Sequence, residues 1–433
     1  MNPSVGTPVE LTIEKLVPGG MGLARLEGRV VFVPGAMPGD RIRGRIESDH
    51  RHHVMVRCEA ILTAGPDTVD PGCPADGSCG GCQLRRLSAS HQDAVKAGFV
   101  KEGLERIARL DPTQALQPLI PARERDGYRR RATFQTRWTD HGPQLGFFAH
   151  GSHDIVDLTH CPILDPRLSA LMSPLRRLIA TLACRHSLSG IEVVAGDDGV
   201  GMVFCLLRPC PNTDKETMRR FAGETGADQV WIRVGKSPPS PLVTHHPLSY
   251  AVDGFSIAFE PADFVQGHGT QNHTLVATAM TLAGKGQQAW DLFCGIGNFT
   301  LPLTRRFDRV AGSDLLPGSL RRSGENARRY DVGNRVVFHR IDLFREEDLT
   351  RLPWQEPVDL ALLDPPRNGA EALCRQLASK GPERIVYISC DPATFARDAA
   401  ILVAGGYALE VVQPVDLFPQ TRHVEITSRF VRR

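Results

Sequence analysis

The first 62 residues consist of short runs in which apolar and polar positions alternate, with glycine and proline between the runs. This alternation is typical of strands that bury one face. Five such runs can be recognised: VELTIEKL, PGGMGLARL, VVFVPG, PGDRIRGRIES and HHVMVRCEAIL. Five short strands in so short a segment predict a small β-barrel, for which an OB-like fold is the obvious candidate.

The pattern changes twice further along the chain. An amphipathic helix is predicted at about residues 88–110, and residues 117–260 have the pattern of a strand-rich region with a helix near 166–184. From residue 270 onward helical and strand patterns alternate, which predicts an α/β domain with a largely parallel sheet. The predicted fold class is therefore α/β plus β, and the helix at 88–110 is expected to pack on the C-terminal domain. The predicted domains are 1–62, 63–260 and 261–433.

The segment QAWDLFCGIGNFTLPLT, residues 288–304, predicts a strand, a tight turn and the start of a helix. Gly295 and Gly297 let the backbone turn sharply and approach a ligand closely. A dinucleotide site would have a third glycine where Thr300 stands, so the loop does not match a pyrophosphate-binding turn. A tight strand-to-helix turn without a ligand is the alternative.

Acidic residues flank this loop. Asp291 precedes it, and Asp314 ends the next predicted strand 19 residues beyond Gly295, a spacing that suits a ribose contact. Together they favour a nucleoside-containing cofactor that lacks a pyrophosphate, and S-adenosylmethionine fits that description.

Two further strands end in reactive groups. VDLALLDPPRNGA has Asp364 at the end of a continuous apolar run, and VYISCDP has Cys390 at the end of the next strand. Cysteine is usually a small buried core residue, but ligands of open α/β sheets bind at the carboxyl ends of the strands. Because Cys390 shares that edge with the acids, the pattern favours a functional thiol.

The composition, 41% hydrophobic and 23% charged over 433 residues, is that of a globular protein without a long uncharged apolar segment. No membrane partner is therefore expected. The N-terminus lacks the pattern of a secretion signal, which favours a cytoplasmic location. The 11 cysteines are then better explained as ligands, catalysts or core residues than as a disulfide framework.

The formal net charge of +2 predicts no polyanionic partner, but the distribution of charge is more informative. Residues 41–57 contain five arginines and three histidines, and residues 123–138 contain six arginines around Tyr128, Phe134 and Trp138. Arginines interleaved with aromatic residues suit phosphate contacts and base stacking, which favours a nucleic-acid partner. A solvated basic face is the alternative for each segment.

Three cysteines, Cys73, Cys79 and Cys82, stand in a Gly/Pro-rich loop with the spacing C-x5-C-x2-C. Turns let several thiolates converge on one centre, so this spacing is a strong signal for a metal site. Zinc remains an alternative at this point.

Four segments resemble, in the same order, the signature segments of the S-adenosylmethionine-dependent RNA uridine-C5 methyltransferases. They are DLFCGIGNFTLPLT, LLDPPRNGA, YISCDPATFARD and LFPQTRHVEITSRF. The chain is most similar to the bacterial 23S rRNA type, which has a TRAM domain and an iron–sulfur cluster. The resemblance implies an N-terminal TRAM barrel, a strand-rich central domain carrying the cysteines and a C-terminal Rossmann-like class I methyltransferase sheet.

The resemblance also implies roles for individual residues. Cys390 is the expected nucleophile, Glu425 the expected general base, and Asp364 and Phe264 the expected contacts of the target uracil. The expected cofactor-binding residues are Gln266, Asp291, Gly295, Gly297, Asp314, Asp342 and Asp364. The expected ligands of a four-iron four-sulfur cluster are Cys73, Cys79, Cys82 and Cys161. A structural role is expected for the cluster, with redox sensing as the alternative.

Two positions depart from the family pattern. Asp314 stands where glutamate is more usual, a tolerable change for a ribose contact. His268 stands where the family has an asparagine, which puts the contact made by that asparagine in doubt.

The chemistry of uracil explains why a cysteine and a base are needed. Carbon 5 is too weak a nucleophile to accept a sulfonium methyl group unaided, and addition of a thiolate at carbon 6 overcomes this; a base must then remove the carbon 5 proton. Methylation of an amine requires no nucleophilic cysteine, and cytosine-C5 enzymes have different signature segments. The expected partner is RNA, specifically 23S rRNA, with no DNA, and the protein is expected to be a monomer. The alternatives are tRNA as the substrate, or an RNA-binding or chaperone protein with a vestigial methyltransferase domain.

Overall fold

The structure is a computed structural model, and it describes residues 4–352, 354 and 357–433. Within these residues the strands form a six-stranded sheet, two seven-stranded sheets and a two-stranded hairpin. The six-stranded sheet lies in the N-terminal part of the chain and one seven-stranded sheet follows it. The hairpin and the second seven-stranded sheet make up the C-terminal part.

The N-terminal sheet has the strand order β1-β5-β6-β4-β3-β2. Its strands are β1 (Pro8–Thr12), β2 (Lys15–Val17), β3 (Met21–Leu26), β4 (Arg29–Pro34), β5 (Arg41–Asp49) and β6 (Val54–Thr63). Alternate residues of β5 are buried, and Ile42 and Ile46 join Val31 and Val56 in a core of this sheet's own. The prediction of one strand in VELTIEKL is wrong, because the chain changes partner near Ile13: β1 pairs with β5, and β2 pairs with β3.

The central part confirms the predicted strand-rich region. Its sheet has the order β13-β12-β11-β10-β7-β8-β9. The strands are β7 (Arg131–Thr139), β8 (Gly142–Phe148), β9 (Ile155–Asp157), β10 (Leu188–Ala195), β11 (Val200–Leu206), β12 (Gln229–Val234) and β13 (Ser240–Thr244). Three helices bury apolar side chains in the same core: α2 (Pro166–Ala170), α3 (Met172–Thr181) and α4 (Asn212–Thr225). The helix predicted near 166–184 is thus two helices, α2 and α3.

The C-terminal part confirms the predicted alternation of helices and strands. Its sheet has the order β18-β17-β16-β19-β20-β22-β21, in which β16 to β20 pair in parallel and β22 runs antiparallel to both neighbours. The strands are β14 (Leu248–Val252), β15 (Phe255–Phe259), β16 (Gly286–Leu292), β17 (Phe307–Asp314), β18 (Val336–Arg340), β19 (Leu360–Leu363), β20 (Arg384–Ser389), β21 (Tyr407–Val415) and β22 (Glu425–Arg432). The helices are α5 (Gly269–Ala283), α6 (Thr300–Leu303), α7 (Pro317–Arg329), α8 (Glu346–Leu349), α9 (Glu371–Lys380) and α10 (Pro392–Ala404).

The continuous apolar runs of β19 and β20 follow from their position in the middle of this sheet. Leu360 and Leu362 of β19 face a core that includes Leu275 of α5, whereas Leu363 faces the core that includes Leu373 of α9. A strand covered by helices on both faces needs apolar residues at every position.

Two segments that precede residue 261 also pack against the α/β unit. The β14–β15 hairpin buries Tyr250 and Ile257 in the core that contains Leu275. The helix α1 (Ala89–Gly103) lies against α10, where a Cβ on Gly103 would stand 3.0 Å from the Pro392 carbonyl oxygen. The predicted domain boundaries stay predictions. No helix in the described part of the chain has the length and apolar character needed to cross a membrane.

Candidate active site

Five of the predicted site residues lie at one edge of the C-terminal sheet. The parallel strands β16 to β20 end beside that edge, and the acids and the thiol lie at or just beyond their carboxyl ends. These residues are Asp291, Asp314, Asp342, Asp364 and Cys390. Glu425 reaches the same edge from the opposite direction, because it is the first residue of β22 and β22 runs antiparallel to β20.

The thiol and two carboxyl groups interact electrostatically at this edge. Burial and then Asp364 raise the pKa of Glu425 to about 8. Burial and then Glu425 and Asp364 raise the pKa of the Cys390 thiol to about 12, and burial with Asp291 raises the pKa of Asp364 to about 7. The free protein therefore favours the protonated forms, since each additional negative charge would lie in a buried, acidic environment.

Arg367 is a cation beside this cluster. It lowers the pKa of both Cys390 and Glu425, which partly offsets the effects of burial and of the neighbouring acids. Its Nη2 donates a hydrogen bond to His423 Nε2 at 3.2 Å. Burial and Arg367 lower the pKa of His423 to about 3, so the imidazole is neutral and can accept that bond. Arg367 lies in the segment DPPRNGA and His423 in the segment TRHVEITSRF. Neither is among the site residues that the sequence predicts.

The glycine loop after β16 has the backbone conformation that the sequence predicts. Gly295 has φ +53° and Gly297 has φ +101°, a region that side chains rarely adopt. A Cβ on Gly297 would stand 2.6 Å from the Leu301 side chain and 2.8 Å from Ser323 Oγ. A Cβ on Gly295 would meet nothing within 4 Å, so the backbone there faces open space that a ligand can enter.

Asp314 and Asp291 stand on either side of this loop. Asp314 Oδ2 accepts a hydrogen bond from the Gly295 amide at 3.0 Å, and Oδ1 accepts one from the Leu316 amide at 2.8 Å. Asp291 is fully buried, and its Oδ2 accepts from Thr300 Oγ1. Its Oδ1 has no partner among the described residues, and burial raises the pKa of Asp291 to about 7. A buried carboxyl oxygen without a partner fits a cationic ligand group.

The remaining predicted ligand contacts differ in exposure. Gln266 is buried, and its Nε2 donates to Asp364 Oδ2 at 3.5 Å. Phe264 is 70% exposed. Asp342 Oδ1 accepts from the Phe344 amide at 3.1 Å.

His268, which replaces the family's asparagine, faces away from this cluster. Its Nδ1 accepts from the Gln271 amide at the start of α5, and its Nε2 lies 3.1 Å from the Glu124 carbonyl oxygen. Its ring stacks on Tyr128 with centroids 4.6 Å apart. The His268 side chain is therefore occupied by packing and by these hydrogen bonds.

The four predicted cluster cysteines line one cavity of about 750 Å³ between the central sheet and the segment before β22. Burial and then Cys161 raise the pKa of Cys82 to about 12, whereas Arg85 lowers it. Within the part of the chain that the structure describes, no group of three or more His, Cys, Asp or Glu side chains is arranged to hold a metal ion. The predicted four-iron four-sulfur cluster is therefore not confirmed.

The two arginine-rich segments differ in their surroundings. Arg41 pairs with Glu10 at 2.9 Å and Arg45 with Glu59 at 3.0 Å on the exposed face of β5. The interpretation of residues 123–138 as a base-stacking surface is wrong, because Tyr128 and Phe134 are buried. Two arginines of this segment form ion pairs, Arg125 with Asp93 and Arg131 with Glu192, whereas Arg123 and Arg137 are exposed.

Comparison with known proteins identifies the family. A family model described as tRNA (Uracil-5-)-methyltransferase matches residues 100–433. The 23S rRNA (uracil(1939)-C(5))-methyltransferase RlmD of Aeromonas hydrophila is 33% identical over 430 residues, which cover 98% of this chain and 96% of that protein. RlmD of Alkalilimnicola ehrlichii is 36% identical, with 98% and 97% covered.

The chain belongs to the tRNA (uracil-5-)-methyltransferase family. Members of the tRNA (uracil-5-)-methyltransferase family are S-adenosylmethionine-dependent RNA (uracil-C5) methyltransferases, and the protein is an enzyme of this class. A TRAM domain model matches residues 4–53, which confirms the type of the predicted N-terminal domain. The structure of Pyrococcus abyssi tRNA (uracil-54, C5)-methyltransferase in complex with S-adenosyl-L-homocysteine has the same fold, with a TM-score of 0.73 at 22% identity over 98% of this chain and 100% of that one.

Proposed function

We propose that the protein methylates carbon 5 of a specific uridine in 23S rRNA, with S-adenosylmethionine as the methyl donor. One observation carries this proposal. The thiol of Cys390 and the buried carboxyl of Glu425 lie near each other at the sheet edge where ligands bind. Relatives of nearly equal length that are 33–36% identical are named as enzymes acting on uracil 1939 of 23S rRNA. This favours rRNA over tRNA, because the likeness to the archaeal tRNA enzyme is a likeness of fold.

In the proposed mechanism the Cys390 thiol loses its proton to solvent, and the resulting thiolate adds to carbon 6 of the uracil. A sulfur–carbon bond forms, and the electron pair of the carbon 5–carbon 6 double bond moves toward the carbon 4 carbonyl as an enolate. Arg367 favours the thiolate, since it lowers the pKa of Cys390. S-adenosylmethionine, when bound, would supply an electrophilic methyl group on a sulfonium sulfur. The electron-rich carbon 5 would take that methyl group, and the electron pair of the broken sulfur–methyl bond would stay on the sulfur of the leaving S-adenosylhomocysteine.

Glu425 completes the reaction as the general base. Carbon 5 then carries both a hydrogen and the new methyl group, and the ionised form of Glu425, which Arg367 favours, removes the proton. The electron pair of that bond restores the double bond, and the Cys390 sulfur leaves carbon 6 as a thiolate. Asp364 orients the ring through the uracil edge, and its raised pKa of about 7 gives it a proton to donate. The exposed ring of Phe264 is available to contact the target base.

The cofactor is proposed to lie along the glycine loop. Asp291 Oδ1 is buried without a partner among the described residues, which suits the cationic end of S-adenosylmethionine. Gly295 leaves the backbone open to a ligand, Gly297 allows the tight turn, and Asp314 and Asp342 suit contacts with hydroxyl or amino groups. Gln266 and Asp364, which are hydrogen-bonded to each other, complete the proposed set.

A structural four-iron four-sulfur cluster held by Cys73, Cys79, Cys82 and Cys161 is also proposed, with redox sensing as the alternative. The four thiols line one cavity, and four cysteine thiolates are the usual ligand set of such a cluster. Iron and acid-labile sulfide assays on anaerobically purified protein are expected to give about four of each per chain; zinc without iron would contradict the cluster.

RNA binding is proposed to involve the TRAM domain, and a monomer acting in the cytoplasm is consistent with an enzyme of rRNA processing. The substrate is tested by methyl transfer from labelled S-adenosylmethionine to 23S rRNA fragments and to tRNA transcripts in parallel. Methylation of the 23S fragments alone is expected. Methylation of tRNA alone would overturn the substrate, and failure to bind S-adenosylmethionine in calorimetry would favour a vestigial domain.

A further inference from the structure

The loop at 416–424 joins β21 to β22 and leads directly into Glu425. Its main anchors come from outside the C-terminal sheet, on α1 and the segments beside it. Gln92 and Lys96 of α1 contact this loop, as does Tyr128, whose hydroxyl donates to the Pro419 carbonyl at 2.8 Å. The segment that delivers the general base is therefore held by a distant part of the chain.

Lys96 is the central anchor. Its side chain and that of Asp416 are fully buried, and Lys96 Nζ donates to Asp416 Oδ1 at 2.5 Å and to the Phe418 carbonyl at 2.9 Å. Arg125 Nη1 lies 3.5 Å from the other oxygen of Asp416. A buried ion pair is costly to form and is weak evidence for stability alone, so a role other than stability deserves a test.

Gln420 shows that the shape of this loop is imposed by its surroundings. It has φ +68°, an unusual conformation for a residue other than glycine. Its amide donates to Gln92 Oε1 at 3.0 Å, its carbonyl accepts from the Leu84 amide at 2.9 Å, and its Oε1 accepts from Gln92 Nε2 at 2.9 Å. Such conformations persist where several contacts hold them, and they concentrate at functional sites.

A continuous set of contacts leads from Lys96 to the catalytic cluster. The Phe418 carbonyl that accepts from Lys96 also accepts from Thr421 Oγ1 at 2.8 Å. Thr421 Oγ1 accepts from the His423 amide at 3.3 Å, and the His423 ring accepts from Arg367 at 3.2 Å. Lys96 and Arg367 are thus connected through the short loop at 416–424.

We propose that Lys96 and Asp416 are positioning residues that fix the 416–424 loop, so that His423 holds Arg367 against Cys390 and Glu425. This inference rests on the proposed function. It assigns to α1, which lies before the α/β sheet in the chain, a part in setting the geometry of the reaction. The loss expected from a misplaced group is large, because a displacement of about 1 Å can lower a rate by about 10²-fold.

The alternative is that the ion pair only stabilises the fold. A double substitution distinguishes this stabilising role from a positioning role. Lys96→Met with Asp416→Leu replaces both charges by apolar side chains, which usually preserves stability. We expect a Tm within a few degrees of the wild type and unchanged S-adenosylmethionine affinity, but a fall in kcat and in the rate of covalent trapping on 5-fluorouridine RNA of about 10- to 100-fold. Wild-type kcat and trapping in this variant would overturn the proposal.

Arg432→Met is the matched control at the opposite end of the same hairpin. Arg432 Nη2 donates to the Leu377 carbonyl at 3.0 Å, the Gly381 carbonyl at 3.1 Å and the Tyr407 hydroxyl at 2.9 Å. Its loss is expected to lower Tm and leave kcat unchanged at temperatures below unfolding. An equal fall of kcat in this variant would show that any weakening of the hairpin is sufficient, and would contradict a positioning role.

Gln420→Gly provides an independent test if the double variant does not fold. Glycine adopts φ +68° without strain, so the fold is retained while the side-chain bonds to Gln92 Nε2 and to the Arg125 carbonyl are lost. We expect unchanged Tm with reduced kcat and trapping; wild-type rates would count against the proposal. A wild-type protein that fails to act on uracil carbon 5 would instead overturn the proposed function, and the inference with it.

Discussion

Asp364, Glu425 and Cys390 lie in a buried, acidic environment that disfavours their ionisation. Burial and neighbouring acids raise the pKa of all three groups, and Arg367 opposes this at Cys390 and Glu425. In the free protein these three groups therefore favour their protonated forms, and Cys390 and Glu425 must lose their protons before they can act as nucleophile and base. Such an arrangement serves the reaction at the expense of stability, which is common at active sites.

Glu425→Gln is expected to stabilise the free protein at alkaline pH. The pKa of Glu425 is raised from 4.5 to about 8 in the folded state, so its contribution to stability is complete below pH 4.5 and is lost as the pH rises through 8. The glutamine side chain does not ionise, so the variant does not lose stability as the pH rises. Its Tm should exceed that of the wild type by several degrees at pH 8.5 and by much less at pH 5 in thermal scans. A Tm difference that does not change with pH would contradict the buried, protonated carboxyl.

Cys390→Ala and Glu425→Gln are expected to fail at different steps. Without the thiol, turnover should fall by more than about 10³-fold and no covalent complex should form with 5-fluorouridine RNA. Without the base, the carbon 5 proton stays in place, so the glutamine variant should accumulate a covalent complex with ordinary RNA, visible on a denaturing gel. Cys205→Ala, in the central sheet, is the control and should retain turnover. Normal turnover in either site variant would refute the role assigned to that residue.

Asp291 is expected to make S-adenosylmethionine binding depend on pH. Its pKa in the free protein is about 7, and the ionised form attracts a cation, so affinity should rise several-fold between pH 6 and pH 7.5. Asp291→Asn should bind weakly at both pH values. Calorimetry at the two pH values checks this, and a wild-type affinity that is the same at both would contradict the assignment.

At the scale of elements, the turn after β16 depends on Gly297. An alanine there would have φ +101° and a Cβ within 3 Å of Leu301 and Ser323, which costs about 1–3 kcal/mol. Gly297→Ala should lower both Tm and S-adenosylmethionine affinity, the latter by about 10-fold. Gly98→Ala is the matched control in α1, because a Cβ there meets nothing within 4 Å and alanine favours the helix. Wild-type affinity in Gly297→Ala would show that the loop does not bind the cofactor.

Local patterns predicted the elements and the residues at their ends. Asp314, Asp364 and Cys390 could be assigned to one edge because parallel strands end together. The pairing of β1 and β2 with different partners could not be predicted, since VELTIEKL contains no glycine or proline to mark a break and the change of partner depends on strands β3 and β5.

Contacts between distant segments were beyond local patterns. A segment in which arginines alternate with aromatic residues has the same sequence pattern whether its rings are exposed or buried. Only the fold shows that the rings of Tyr128 and Phe134 are buried. Lys96 gave no signal at all, because a lysine in an amphipathic helix normally faces water. Its partner Asp416 is 320 residues away in the sequence.

At the scale of the whole molecule, segments from outside the C-terminal sheet contact the loop beside the candidate active site. The C-terminal sheet supplies the catalytic edge, α1 holds the loop before Glu425, and Arg367 and His423 also line the cavity of the four cysteines. A cluster bound there would lie beside the segment that carries the base.

The most direct test of the account is tritium release from 23S rRNA fragments that carry tritium on uracil carbon 5, incubated with purified protein and S-adenosylmethionine. One tritium should be released for each methyl group transferred, because Glu425 must remove the hydrogen isotope from carbon 5 as a proton. Release should disappear with Cys390→Ala. Methyl transfer without release of tritium would mean that carbon 5 of uracil is not the target, and would contradict the assigned roles of Cys390 and Glu425.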